Sequence, residues 1–519
     1  MADDSPINTQ LMIASPGVER DGTMLYRTQH IDSQWCRWYQ SRPRKMLGFK
    51  EQLRTMPGIT RAIDIFSSDG LSYVHLASGQ GVYRYTINTE TSLNSELIDR
   101  TPAGFLPNPQ INWQLAEMYN EQDTTTNIFA SPTTSLRTLS STEEFPIYTG
   151  DIVGEAPLVA VPGITTSGGV CAVGPYLFVF GHDGIVRWSM PGNPLDFTGE
   201  GSGDSRPVPD KIVRAMPLRG QTGPTIIMWS LSSVIIGSYV GGALIFDFTT
   251  PTTNGSILSS NGVVEHEGIY YWATTSGFSM FNGVVRELLN DDNKQWFLDN
   301  VNFTQRQKVF AFKIPRWNEI WWCFPFGDAT ECTHAIIYNW VEKCWYDTVL
   351  PNGGRSAAYY EFIFAHPIMT GVVPNLDAGG GTSVWEHESG LDEVGGKPAT
   401  AKAVRSYYRT NEFSVVEPQQ AGALGKDRSL QFSLMEPDFE QKGALIFTAI
   451  SRANARAAEI ATDPIFIPEK PPSNNEQLVE FLKMGRLTSF VIESNEVGGN
   501  YTSGSPLIHW QPGDGRRQD

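Results

Sequence analysis

From Lys308 to Thr348 the chain reads KVFAFKIPRWNEIWWCFPFGDATECTHAIIYNWVEKCWYDT, and its apolar and polar positions alternate through four short runs. VFAFKIP ends at Pro315, RWNE supplies a polar turn, and the aromatic run EIWWCFPF ends at Pro325 and Gly327. The looser turn GDATEC leads to THAIIYNW, and VEK reverses the chain into CWYDT. Two successive antiparallel hairpins with aromatic faces make the unit of a β-propeller blade. Such a sheet cannot hide both faces alone, so it implies similar sheets stacked against it.

The same pattern recurs along the chain. From Pro57, RAIDIF, SYVHLAS and GVYRYTI are alternating strands separated by SSDG and GQG, whose residues suit tight turns, and LIDRTPAGF closes the unit. Comparable units follow at about 110–140, at VCAVGPYLFVFGHDGIVRWSMPGNPLDF, at IVRAMPLRGQTGPTIIMWSLSSVIIGSYVGGALIFDF and at VVEHEGIYYWATTSGFSMFNGVVREL. After the aromatic double hairpin comes RSAAYYEFIFAHP with TSVWEHESGLDE. The expectation is an all-β chain: a propeller of six or seven irregular blades over 57–397, with NDDNKQWFLDNVNFTQRQKV as a short helix on its rim. Residues 1–56 have no sustained period and are expected to form an extended strap and docking segment. From 398 to 519 the strands are longer and more polar on one face, with Pro-rich loops such as IFIPEKPPSNNEQ, which predicts a sandwich-like or ring-closing β region.

Composition fits many turns: 49 Gly, 33 Pro and 14 Trp in 519 residues, with 18% charged. No apolar run is long enough to span a bilayer, and MADDSPINTQ has no basic or apolar leader character, so a cytosol-like compartment is expected. Five scattered cysteines make no disulfide framework and are expected to be reduced and buried. A net charge of −17 argues against wrapping nucleic acid by neutralising phosphates, and suits a surface past which DNA slides. One stretch departs from it: Arg37, Arg42, Arg44, Lys45, Lys50, Arg54 and Arg61 stand against a single acid, Glu51. Of these, Arg37, Arg42, Arg44 and Lys45 are the candidate docking residues.

Candidate chemistry is sparse. Cys323, Cys332, His334 and Cys344 fall within one blade but lack paired C-x2-C spacing, and core packing accounts for them better than zinc. Asp183, Asp247, Asp347 and Glu386 could belong to a glycosidase carboxylate pair, although Asp183 lies in the turn sequence HDG, where backbone geometry alone calls for Asp and Gly. The eight histidines are dispersed, and no nucleophile elbow, H-E-x-x-H or phosphate loop occurs. No catalytic residue, metal or cofactor is expected, and the chain reads as a non-enzyme. Trp321, Trp322, Phe324, Trp340 and Trp345 alternate across the aromatic blade and are expected to be its core. The rival reading makes them an open sugar-stacking platform.

SPGVERDGT, a short spacer, WCRWYQSRPRKMLGF, PGITRAIDIF, then ASGQGVYRYT and LIDRTPAGF occur in an order that resembles the opening of tail nozzle (tail hub) proteins of short-tailed bacteriophages. Trp38–Tyr39, the Met46–Phe49 stretch and Arg100–Pro102 depart from that family's usual forms. The resemblance implies a structural virion protein of the tail, assembled in the host cytoplasm, in a ring, usually of six subunits, below the portal. Its implied partners are the tail adaptor, fibre or tailspike proteins, and double-stranded DNA that passes without sequence-specific binding; membrane insertion is not implied. Six chains of net charge −17 would assemble about −100 formal charges, a lumen along which a polyanion slides. The alternative is a carbohydrate-binding or carbohydrate-cleaving tail-associated propeller, which matching acids on regular repeats would favour.

Overall fold

The computed structural model describes residues 7–23, 27–91, 93–253, 255–414, 429–469 and 478–512. Met24–Tyr26 of the N-terminal segment and the PPSNNEQ stretch of the Pro-rich loop lie outside them. Among these residues the alternating runs form seven antiparallel blades, 1 to 7, six of them four-stranded sheets and the seventh four strands of a six-stranded sheet that Glu393–Gly395 and Thr400–Lys402 extend, so the chain is an all-β propeller. Blade 1 spans 60–99, blade 2 111–166, blade 3 169–205, blade 4 212–252, blade 5 263–287 and blade 6 310–349. Blade 2 extends past its expected end through Phe145–Asp151 and Val159–Thr166. Blade 7 takes three strands from 355–387, and its fourth, Phe49–Met56, comes from the other end of the chain and pairs antiparallel with Gly381–His387. This insertion closes the ring.

Local sequence explains the units. In blade 1 the turn between Thr60–Ser68 and Leu71–Ser78 places Asp69 and Gly70 at φ of 52° and 75°, the pair of left-handed residues that a two-residue hairpin needs. Blade 6 shows why its aromatics come in runs. Phe310, Phe312, Trp321, Cys323, Ala335, Ile337 and Tyr346 pack on the blade 7 side, and Ile320, Trp322, Phe324, Ile336 and Trp345 pack toward blade 5. Both faces are covered, so Glu319–Phe324 is buried at every position. Each of the seven seams holds its own apolar cluster, such as Trp229 against Trp272 between blades 4 and 5, with ring centroids 5.6 Å apart. Trp321, Trp322, Phe324 and Trp345 are buried; Trp340 is half-buried with its ring against His266. They form no open platform.

The polar stretch between blades 5 and 6 makes the α-helix Lys294–Asn300 and a 3-10 turn, Phe303–Lys308. No helix among the described residues is long and apolar enough to cross a membrane.

The expected strap, 1–56, needs correction. Its chain runs extended, but the strands pair with the C-terminal region instead of standing apart. Asn8–Leu11 joins Leu507–Pro512, Asp32–Gln34 joins Ser406–Arg409, and Arg42–Lys45 meets Asn500–Ser503. The described residues within 8–45 and 406–512 therefore build one β-rich unit around Phe432, Phe447, Phe481 and Phe490, and the boundaries at 56 and 397 do not separate structural units. The strand Leu445–Arg452 alternates buried and half-buried, as one solvated face requires. SPGVERDGT anchors this unit to the ring. Arg20 forks onto Asp347 of blade 6 at 2.9 Å through both Nε and Nη2, and also meets Asp32. The Asp21 carboxylate accepts from the N–H groups of Gln295 and Trp296, capping the rim helix.

Arg37 completes the joint from Cys36–Tyr39. Its Nη1 and Nη2 donate to Glu388 at 2.8 and 2.6 Å, and its Nε lies 3.0 Å from Glu319, an ion pair whose N–H is not aimed for a hydrogen bond. Trp317 donates to Glu388, while Trp321 and Tyr346 donate to Glu319. Burial opposes the Arg37 charge, but the two carboxylates outweigh it and hold its pKa above the ordinary value; burial raises that of Glu319. Replacing Arg37 by Met leaves two buried acids uncompensated. The expected loss is about 3–5 kcal/mol in urea denaturation, against less than about 0.5 kcal/mol for Arg42→Glu on the exposed turn.

The central channel as candidate functional site

The first strands of the blades surround the ring axis. Within their apolar runs each of six carries an isolated polar or charged residue: Asp64 in RAIDIF, Glu117 in INWQLAEMYN, Arg214 in IVRAM, Glu265 in VVEH, Lys313 in FAFKI and Tyr359 in RSAAYY. Together they line a cavity of about 520 Å³.

One end of this cavity is closed by side-chain amides. Asn261, just before blade 5, donates to Arg61 O at 3.0 Å in blade 1 and to Asn112 Oδ1 at 3.1 Å in blade 2, while its carbonyl accepts from Ala311 N of blade 6. Asn112 donates to Ser260, and Gln114 donates to the carbonyls of Gly168 and Val213. Buried amides persist only when so paired. Gly169 makes room for this web, since a Cβ there would lie 2.4 Å from Gln114 Oε1. At the other end Phe362 and Ile363 stand exposed beside Glu361.

Charge is divided around the axis. Blades 7, 1 and 2, which are neighbours, contribute Glu361, Asp64 and Glu117. Blades 4 to 6 contribute Arg214, Arg219 and Lys313 against Glu265, which lies 3.6 Å from both Arg219 Nε and Lys313 Nζ. Burial raises the Asp64 carboxyl to about 6, against a hydrogen bond from the Tyr359 hydroxyl. Glu117 opens onto the water-filled lumen yet has protein on most sides, and this enclosure, followed by the charges of Asp64 and Glu361, pushes it up to about 8. Burial lowers Arg214 below the ordinary guanidinium value.

The residues singled out from sequence lie elsewhere. Arg37 and Lys45 are buried and cannot dock a partner; burial lowers the Lys45 amine to about 8. Arg44 is half-buried with its guanidinium over Trp317 at 4.9 Å, and only Arg42 of the four stands open. Asp183 and Asp247 are exposed in blades 3 and 4, Asp347 is taken by Arg20, and Glu386 accepts from Gln52 in blade 7, so these acids form no pair. Cys323, Cys332 and Cys344 are buried in the cluster facing blade 7, while His334 stacks on Phe326 with centroids 4.1 Å apart, next to Phe324 on the opposite face. Among the described residues no group of three metal-binding side chains comes together. The channel set is spread over some 300 residues; its signal in the sequence is the lone charge inside the first apolar run of a unit.

No protein-family model matches the chain, and no curated protein matches it in sequence. Among solved structures it is similar to a chain in the crystal structure of the mitotic checkpoint complex, with a TM-score of 0.35 and 9% identity, over 64% of this chain and 90% of that one. A likeness so distant carries nothing about function.

The raised Asp64 value has a consequence for stability. A carboxyl whose folded pKa exceeds its unfolded value binds more protons in the native state, so its contribution falls as pH rises between the two, here from 3.8 to about 6. Asp64→Asn removes that loss. The variant should match the native protein near pH 3.5 and exceed it above about pH 7 by on the order of 2 kcal/mol, read from denaturation curves across pH.

Proposed function

We propose that this protein is a structural subunit of a phage tail nozzle, arranged in a ring whose lumen between subunits conducts the genome. The observation that carries the reading is where the charge goes. Of the seven cations between Arg37 and Arg61, Arg37 and Lys45 are buried, Arg61 forks onto Glu331 at 2.7 and 2.8 Å, and Arg54 is held by Asp377 and Glu51. Four of the seven are used inside the chain, with Arg42 and Lys50 exposed, and a protein of net charge −17 presents an acidic exterior to its surroundings. A like-charged wall lets DNA pass without holding it. The amide web across the propeller axis supports passage between subunits instead of through one of them.

The segment that resembles the nozzle family, SPGVERDGT, is also the segment that ties the two β units together through Arg20 and Asp21. A ring needs apolar contact between copies, and the blade 4 hairpin offers it: Tyr239, Val240 and Leu244 are 46%, 54% and 71% exposed at a tip that turns through Gly241 and Gly242. The tail adaptor, fibre or tailspike proteins and translocating DNA are the partners this reading requires. With most of the basic stretch internal, attachment to the adaptor falls mainly to other surfaces.

The purified protein should form closed rings of several copies by native mass measurement. Val240→Asp with Leu244→Asp should return it to monomers without lowering its melting temperature. A native protein that stays monomeric at all concentrations, and leaves tails complete when deleted, would sink the assignment.

A further inference from the structure

The web of Asn112, Gln114 and Asn261 crosses one end of the channel, and Glu361 lies with the exposed Phe362 and Ile363 at the other. The channel's volume, about 520 Å³, lies in the range of small-molecule sites. Two of its charged groups are only partly satisfied. Asp64 is 7% exposed, and its Oδ2 is buried without a hydrogen-bond partner; Arg214 Nε is likewise buried and unpartnered. Asp64 is on blade 1 and Arg214 on blade 4, nearly opposite in a ring of seven. Glu117 and Glu361 flank Asp64 from blades 2 and 7, and no cation among the described residues forms an ion pair with any of the three. Glu361 Oε2 is already oriented by Ser67 and by the N–H groups of Ile363 and Phe364.

We propose that the channel binds a small zwitterion, with an ammonium group among Asp64, Glu117 and Glu361 and a carboxylate against Arg214. A buried carboxylate oxygen and a buried guanidinium nitrogen without partners are each costly, and a ligand carrying the complementary charges at its two ends relieves both. Either half alone answers only one arc of the wall. Tyr359 stands between them: its hydroxyl bonds Asp64 and lies within the field of Arg214. On the remaining arc Lys313 and Arg219 are occupied by Glu265, so Arg214 is the cation left for the ligand. The site belongs to a single chain and does not depend on ring assembly.

The arrangement links binding to protons. With the empty-site values of Asp64 and Glu117 raised, an arriving ammonium favours their ionised forms and drives protons off near neutral pH.

The test is titration calorimetry on the full chain in phosphate buffer, with the dipeptide alanyl-alanine, the diamine putrescine and the dicarboxylate succinate as probes. The dipeptide should bind at least about tenfold more tightly than either of the others, and Asp64→Asn and Arg214→Gln should each weaken it by about tenfold or more. Asp183→Asn, on the exposed blade 3 turn, should leave it unchanged. Repeating the dipeptide titration in buffers of different ionisation heat should show proton release that Asp64→Asn reduces. Melting curves establish that each variant is folded. No dipeptide binding at millimolar concentration, equal binding of the diamine or the dicarboxylate, or binding indifferent to both channel substitutions overturns the proposal.

Discussion

Everything in this molecule depends on closing the ring with a strand from the far end of the chain. Each blade carries apolar residues on both faces, so a seam lacking either neighbour would leave a row of aromatic side chains in water. Six blades take all four strands from one continuous stretch. The seventh waits for Phe49–Met56, whose pairing with Gly381–His387 spans more than three hundred residues. Such a contact forms only after much of the chain is already ordered. It also fixes where the preceding residues go, since 8–45 must leave the closed seam beside blades 6 and 7, where the C-terminal strands meet them.

That placement explains the polar chemistry of the joint. Arg37 enters beside two acids from different blades, and the guanidinium is tolerated there because Glu319 and Glu388 are themselves held by Trp317, Trp321 and Tyr346. A buried ion pair fixed by several directional hydrogen bonds specifies one arrangement, whereas an apolar contact of the same area would accept several. Arg20 and Asp21 act similarly at the rim, one on a blade 6 acid and the other on a helix end. Several of the cations that the sequence concentrates near the N-terminus, Arg20, Arg37, Arg54 and Arg61 among them, thus serve to attach the chain to itself, and the remaining surface is acidic in consequence.

The channel follows the opposite rule. The side-chain N–H groups of its amide end are tied by hydrogen bonds, while the charged groups further along are divided between arcs and two of them each keep a buried atom without a partner. Propeller geometry creates this separation, because each first strand delivers one residue to the axis from a different blade and none of them is near another along the chain.

What the sequence by itself determined is the repeating unit. Period-two alternation, aromatic runs such as EIWWCF that require burial on both faces, and turns such as SSDG are local properties, so strands, hairpins and the propeller are legible from them. The shift to half-polar strands near residue 400 likewise marked a second β unit. What only the tertiary structure decided is which distant segments meet. Residues 1–56 carry no period because their strands are short and borrow partners from 406–512 and 381–387, and the roles of Arg37 and Lys45 were misread because a cation's burial depends on acids hundreds of residues away. The channel charges were visible one at a time as single polar residues in apolar runs. Their division into an acidic and a basic arc exists only once seven blades surround one axis, since the angle between Asp64 and Arg214 is a property of the ring and not of any stretch of chain.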